Sequence, residues 1–284
     1  MPEVAAFLLA KAVAAWLRFS PMGRIITIAN QKGGVGKTTT AVNLAAGLAA
    51  AEQETLLVDC DAQGNATSGL GVKLGPDQPT LYQVLINACQ PQDAIRDTEL
   101  SHLKLIGSDV NLFGAEMELA SSAEREYLLA KVLVKLGERF RFIILDCPPS
   151  LGLLTLNALT ACQSVLIPLQ CEYYALEGLT QLLHTVARVR RTLNPGLGLL
   201  GILLTMYDGR NNLSRQVAED VRGHFGKLVF RSVVPRNVRL SEAPSHGKPV
   251  LLYDVKSSGA QAYLDLAREV LSGGPSQESQ GEAA

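Results

Sequence analysis

Arg24-Ile25-Ile26-Thr27-Ile28-Ala29-Asn30-Gln31-Lys32-Gly33-Gly34-Val35-Gly36-Lys37-Thr38-Thr39-Thr40 passes from an apolar run, through a glycine-rich turn, into a helical pattern. Ile25–Ala29 is apolar at almost every position, as a strand buried on both faces is. The Ala/Leu pattern over Thr38–Ala50 reads as a helix. Between them the glycines let backbone N–H groups turn inward, and the opening helix aims its positive dipole end at the same point. This is a cradle for phosphate. Backbone contacts are expected from Gly33, Gly34, Val35, Gly36, Lys37, Thr38 and Thr39. Lys37 is expected to reach the β- and γ-phosphates, and the Thr38 hydroxyl to hold Mg2+. The general pattern G-x-x-x-x-G-K-[ST] is incomplete: Gln31 stands at its first glycine, and a second lysine, Lys32, lies inside the loop.

Outward from this loop, short apolar runs alternate with helical patterns. Thr55–Val58, Leu103–Ile106, Phe142–Leu145, Ser164–Pro168, Leu199–Thr205 and Val229–Val233 read as further strands. Glu116–Leu136, Leu176–Leu193, Leu213–Phe225 and Gly259–Leu271 read as helices. Such alternation implies an α/β fold, a mostly parallel sheet covered by helices on both faces, with ligands at the carboxyl ends of the strands. One domain spanning 24–272 is the economical reading.

The chain has 284 residues, 47% of them hydrophobic, and a net charge of −1, which excludes wholesale disorder and a chain basic throughout. Five cysteines without a C-x-x-C argue against a disulfide framework or a metal cluster. Residues 1–22 form an Ala/Leu-rich extension. The reading preferred is that Met22 is the true start, ahead of a real helical extension and of a membrane role. Gly273 to Ala284 reads as a disordered polar tail.

Carboxylates close two of the strands. Asp59 and Asp61 share one face at the end of the second strand, where they suit Mg2+ held through water or an attacking water. Asp146 ends the buried run Phe142–Leu145, a position suited to Mg2+. Pro148-Pro149 then breaks the chain into a loop suited to sensing a γ-phosphate.

The loop Lys32-Gly33-Gly34-Val35-Gly36-Lys37-Thr38 resembles the deviant Walker A motif of the ParA/MinD family of P-loop ATPases. So do Asp59-Cys60-Asp61-Ala62-Gln63-Gly64-Asn65, with Ala62 at a usual proline, and Asp146-Cys147-Pro148-Pro149. Glu172-Tyr173-Tyr174-Ala175-Leu176-Glu177-Gly178 and Pro235-Arg236-Asn237-Val238-Arg239 extend the resemblance, which is strongest to the chromosomal ParA (Soj-type) branch. It implies an ATPase using ATP and Mg2+, with Lys32, Lys37 and Asp61 in catalysis. Lys32 would cross a dimer interface to the partner's phosphates and Asp61 would position water. Thr38, Asp59 and Asp146 would serve the metal, with Asp59 in its outer shell. Pro235 and Asn237 would line the adenine pocket. It further implies an ATP-dependent homodimer, a ParB-type partner, non-specific double-stranded DNA and a cytoplasmic, nucleoid-associated setting.

Residues 208–256 hold nine Lys/Arg against five Asp/Glu, a local basic excess in a nearly neutral chain. No DNA-reading module is evident, so phosphate contacts without sequence readout are expected. Arg210 and Arg239, then Arg236 and Lys248, are the candidates. The competing reading is a MinD-like membrane-surface ATPase that positions the division site. Against it, the chain ends in Gly-Gly-Pro and a polar tail where that class carries a basic amphipathic helix, so the anchor is missing unless residues 1–22 supply it.

Overall fold

A computed structural model describes residues 23–136 and 138–275. The proposed extension 1–22 and tail residues 276–284 lie outside the described residues. In chain order the elements are β1 (Arg24–Ile28), α1 (Lys37–Ala50), β2 (Thr55–Asp59), α2 (Asn65–Gly69), α3 (Leu81–Leu85), β3 (Ile95–Asp97), β4 (Leu103–Ile106), α4 (Leu112–Leu119) and α5 (Leu128–Val134). There follow β5 (Phe142–Asp146), α6 (Leu153–Ala161), β6 (Ser164–Gln170), α7 (Ala175–Thr192), β7 (Gly198–Tyr207), α8 (Asn212–Phe225), β8 (Val229–Pro235), α9 (Val238–Glu242), α10 (Val250–Tyr253) and α11 (Ser258–Leu271).

The strands form one sheet in the order β3-β4-β2-β5-β1-β6-β7-β8. Every pairing is parallel except the edge pair β3–β4. Successive residues of each central strand feed opposite faces. Ile25, Leu56, Val58, Ile143 and Leu145 join one core with α4 to α8. Ile26, Ile28, Leu57, Phe142 and Ile144 join the other with α1 and α11. A Cβ on Gly47 would stand 3.0 Å from the Ala267 Cβ, so the glycine lets α1 lie close against α11. Gly273 and Gly274 still close the end of α11, their N–H groups donating to Val270 and Glu269 carbonyls.

One sequence expectation is corrected, and α6 and β3 are among the elements that the sequence reading did not include. The helix expected over Glu116–Leu136 is two helices, α4 and α5, separated by residues 120–127. Glu124 adopts a left-handed φ of 57°, which breaks the helix. Asn157 of α6 secures the break, accepting from Leu129 N–H and donating to the Arg125 carbonyl. Helix α6 was absent from the sequence reading because it is buried nearly all round and shows no polar stripe. Strand β3 has three residues at the sheet edge and no apolar run.

Candidate nucleotide-binding site

The loop after β1 is pinned from several sides. Asn30 donates to the Pro168 carbonyl at 2.7 Å and accepts from Lys32 N–H. Thr205 of β7 donates to the Val35 carbonyl at 2.8 Å, and Val35 itself is buried. Gly34 and Gly36 have φ of 72° and 88°, conformations costly for other residues. Helix α1 then starts at Lys37, and Thr40 anchors it by a hydroxyl contact with Tyr263 of α11.

The Lys37 ammonium folds back over the loop and donates to the Lys32 carbonyl at 2.9 Å. Burial lowers its pKa, while Asp146, Cys147 and Asp61 oppose that shift. Strand register brings the carboxylates beside it: Asp146 lies directly opposite Ile28 of β1 and Asp59 of β2. Asp146 is fully buried, and neither carboxylate oxygen has a hydrogen-bond partner of good geometry. Burial, then the neighbouring Asp59, push its pKa well above the usual carboxylate range, while the adjacent Thr38 hydroxyl favours its charged form. A buried, unpartnered carboxylate next to a hydroxyl at a phosphate loop is a donor set that fits a hard divalent cation. Among the described residues no group of three or more His, Cys, Asp or Glu side chains forms a self-sufficient metal site. Mg2+ does not need one, since it takes one or two protein ligands together with substrate phosphates and water.

Asp59 plays a more structural part than the sequence suggests. One oxygen accepts from Thr67 N–H (2.9 Å) and Thr67 Oγ1 (2.7 Å), and the other from Asp61 N–H (3.2 Å). It therefore holds the turn that carries Asp61. Burial still raises its pKa to about 6 against these donors. Asp61 accepts from Gln63 N–H at 3.0 Å and lines the phosphate cleft.

That cleft, about 440 Å3, is bounded by Gly33, Gly34, Lys37, Thr38, Asp61 and Pro149. A narrower cleft of about 120 Å3 continues past Gly36 and Thr39 to Thr205, Pro235, Asn237 and Tyr263. Met206 lines both parts at a left-handed φ of 50°, where the β7–β8 pairing is irregular. Thr205 and Met206 were missed by sequence reasoning, because neither stands in a motif. Asn237 accepts from Arg239 N–H as the cap of α9 and donates to the Ser258 hydroxyl. One amide hydrogen and one lone pair remain for a base.

Lys32 is half-exposed at the rim and paired with Glu172 at 3.0 Å. Glu172 is itself braced by Gln170 and leads into the exposed pair Tyr173 and Tyr174.

The four basic candidates do not form one bare cluster. Arg210, Arg236 and Arg239 follow the carboxyl ends of β7 and β8. Arg210 is clamped by two bonds to Asp208, and Arg239 bridges Glu242 and Asp254. Lys248 stands apart from them, paired with Glu99 beside β3 at the opposite edge of the sheet.

The AAA domain family (AAA_31) matches residues 23–199. Chromosome partitioning protein ParA of Myxococcus xanthus (strain DK1622) is 58% identical over 253 residues, 89% of each chain. Sporulation initiation inhibitor protein Soj of Bacillus subtilis (strain 168) is 54% identical, over 89% of this chain and 100% of its own. Among solved structures, cobyrinic acid a,c-diamide synthase from Mycobacterium smegmatis with bound ATP analog and magnesium superposes with a TM-score of 0.78. It is 39% identical, over 88% of this chain and 95% of its own.

Proposed function

This chain belongs to the ParA/MinD family of P-loop ATPases, and from that premise we propose that it is a chromosome-partitioning ATPase of the ParA/Soj kind. Its ATPase unit is residues 24–272. It binds Mg-ATP, closes into a sandwich dimer and holds nucleoid DNA without reading its sequence. It lets go when a ParB-type partner stimulates hydrolysis. The observation that carries this reading is the convergence of Lys37, Thr38, Asp61 and Pro149 on one groove at the strand ends, with the buried Asp146 carboxylate beside Thr38 and Lys37.

Each residue has a physical task. The backbone N–H groups of residues 33–39 and the dipole of α1 receive the phosphates. The Lys37 ammonium exchanges the Lys32 carbonyl for β- and γ-phosphate oxygens. Thr38 and Asp146 hold Mg2+, which when bound neutralises charge developing on the transferred phosphoryl group. Asp59 fixes the turn that carries Asp61, and Asp61 orients the attacking water. Pro235 and Asn237 contact the base. Lys32 leaves Glu172 and delivers its charge to the phosphates of the partner protomer, where transition-state charge accumulates.

Dimerisation explains DNA binding. One protomer's rim makes few phosphate contacts, each weakened by salt. Two rims on one rigid body engage together, and avidity rises by roughly 10²–10⁴-fold. Arg210, Arg236 and Arg239 supply the contacts, with Lys248 at the far edge. The present pairs of Arg210, Arg239 and Lys248 are exposed and easily exchanged for phosphate. Asp61→Ala is the direct test. It should bind ATP and run as a dimer in size exclusion while turning over at least tenfold more slowly than wild type. Wild-type turnover in that variant contradicts the assignment of Asp61.

A further inference from the structure

Helix α4 is apolar on two faces. Leu112, Ala115 and Leu119 are buried against the core. On the outer side Phe113 and Met117, one turn apart, are 60% and 82% exposed, and Val110 just before them is 71% exposed. Single exposed apolar residues are ordinary; three large ones at helical spacing mark an interaction surface.

The helix is wired to the nucleotide groove at two points. Immediately before it, Ser108 Oγ donates to the Asp61 carbonyl at 2.7 Å, and Ser108 N–H donates to Thr67 Oγ1 at 3.0 Å. From its middle, Glu116 accepts from the Leu154 N–H at 3.2 Å, at the start of α6. The same carboxylate occupies the place a Cβ on Gly152 would need. Glu116 thus braces the far end of the loop that starts at Pro148-Pro149. Asp61 and Pro149 both line the groove, so α4 is linked, through Ser108 before it and Glu116 within it, to the two segments that carry these walls.

Charge selects the occupant. Between residues 109 and 126 stand Asp109, Glu116, Glu118, Glu124 and Glu126, with Arg125 as the single base. Glu124 and Glu126 pair with Lys131 and Arg125. Among the described residues Asp109, Glu116 and Glu118 have no ion-pair partner. A second copy of this acidic rim would be repelled, whereas a cationic partner would be drawn in.

We infer that the outer face of α4, with Val110, Phe113 and Met117 inside an acidic rim, docks a basic amphipathic segment of a partner protein. The apolar side chains anchor the segment and the rim receives its Lys/Arg groups. Docking is felt at the Asp61 turn and the 148–152 loop, a consequence that rests on the proposed reading of the groove as an ATP site.

The test uses the full chain and a fluorescein-labelled 18-residue peptide with Leu at one helical face and Lys elsewhere. A Glu-for-Lys version is the control. The wild type should bind the Lys peptide and not the Glu peptide. Phe113→Ser combined with Met117→Ser should bind it at least tenfold more weakly while keeping peptide-free ATP turnover and ATP-dependent dimerisation. Peptide affinity should differ several-fold between ATP and ADP. That difference should shrink in Glu116→Ala and return in Glu116→Gln, whose amide oxygen still accepts from Leu154 N–H. No binding to the wild type, or equal binding to the double variant, overturns the inference. Loss of the ATP-dependent dimer in the double variant overturns it too, by giving the face to a second copy. Failure to bind ATP at all would instead sink the proposed function, while the peptide titration still reads the surface.

Discussion

The groove at the ends of β1, β2 and β5 and the basic rim beyond β7 and β8 are built in opposite ways. In the groove the charged groups are buried. Lys37, Asp59, Asp61 and Asp146 are each no more than 9% exposed, and the turns that carry them are fixed by Asn30, Thr67, Thr205 and Ser108. At the rim Arg210 is almost fully exposed and Arg239 half-exposed, and both are held by acids of their own segment. Buried groups have few alternative partners, so losing one is expensive; exposed pairs are weak and exchangeable. A site for one small ligand needs the first arrangement. A surface that grips and releases a long polyanion needs the second.

The largest effect should come from the groove. Lys37→Ala removes a charge-assisted contact of roughly 1.5–3 kcal/mol, so ATP affinity should fall by about ten- to more than a hundredfold in a fluorescent-nucleotide titration. Unchanged affinity would erase the distinction between the two regions. The next effect joins them. Lys32→Ala should lose the ATP-dependent dimer, and Glu172→Gln, which frees Lys32, should raise the dimer fraction at limiting ATP. If Glu172→Gln abolishes dimerisation, Glu172 serves the dimer and does not restrain Lys32. At the rim, Arg239→Glu should leave ATP affinity and dimerisation intact. It should lower the slope of log K against log salt by about two for a dimer, roughly 0.9 for each lost phosphate contact. An unchanged slope would place Arg239 off the DNA path.

The smallest effect is a proton. Burial lifts Asp59 to about 6, from 3.8 in an unfolded chain. The folded protein therefore binds this proton more tightly than the unfolded one. The stability so gained is fully present below about pH 4 and is lost as pH rises through about 6. Urea denaturation of the nucleotide-free protein should show the wild type losing about 2 kcal/mol relative to Asp59→Asn between pH 4 and 7. A constant gap across that range would mean that the Thr67 donors fully offset the burial of Asp59.

Much of this was legible in the sequence wherever chemistry and periodicity coincide. The seven expected strands are present because central parallel strands are apolar on both faces, and Lys37, Thr38, Asp61 and Asp146 stand out as candidates because motifs sit at strand ends, where the structure places them side by side. What was hidden depends on tertiary contact. Helix α6 is too uniformly buried to show a stripe. The break at Glu124 is held by Asn157, distant in sequence. With the helix expected to begin at Glu116, Phe113 could not be seen to share a face with Met117. A count of charges over 208–256 could not reveal that Arg210 and Arg239 answer acids of the same segment, or that Lys248 turns to Glu99.

On the proposed reading, nucleotide in the groove controls DNA at the rim through the dimer. The most direct measurement is DNA mobility shift at fixed salt with ATP, ADP or no nucleotide, for the wild type, Lys32→Ala and Arg239→Glu, with size exclusion run in parallel. Only wild type with ATP should shift DNA strongly, Lys32→Ala should fail as a monomer, and Arg239→Glu should fail as a dimer. Equal DNA binding by ATP-bound dimer and nucleotide-free monomer would contradict that reading.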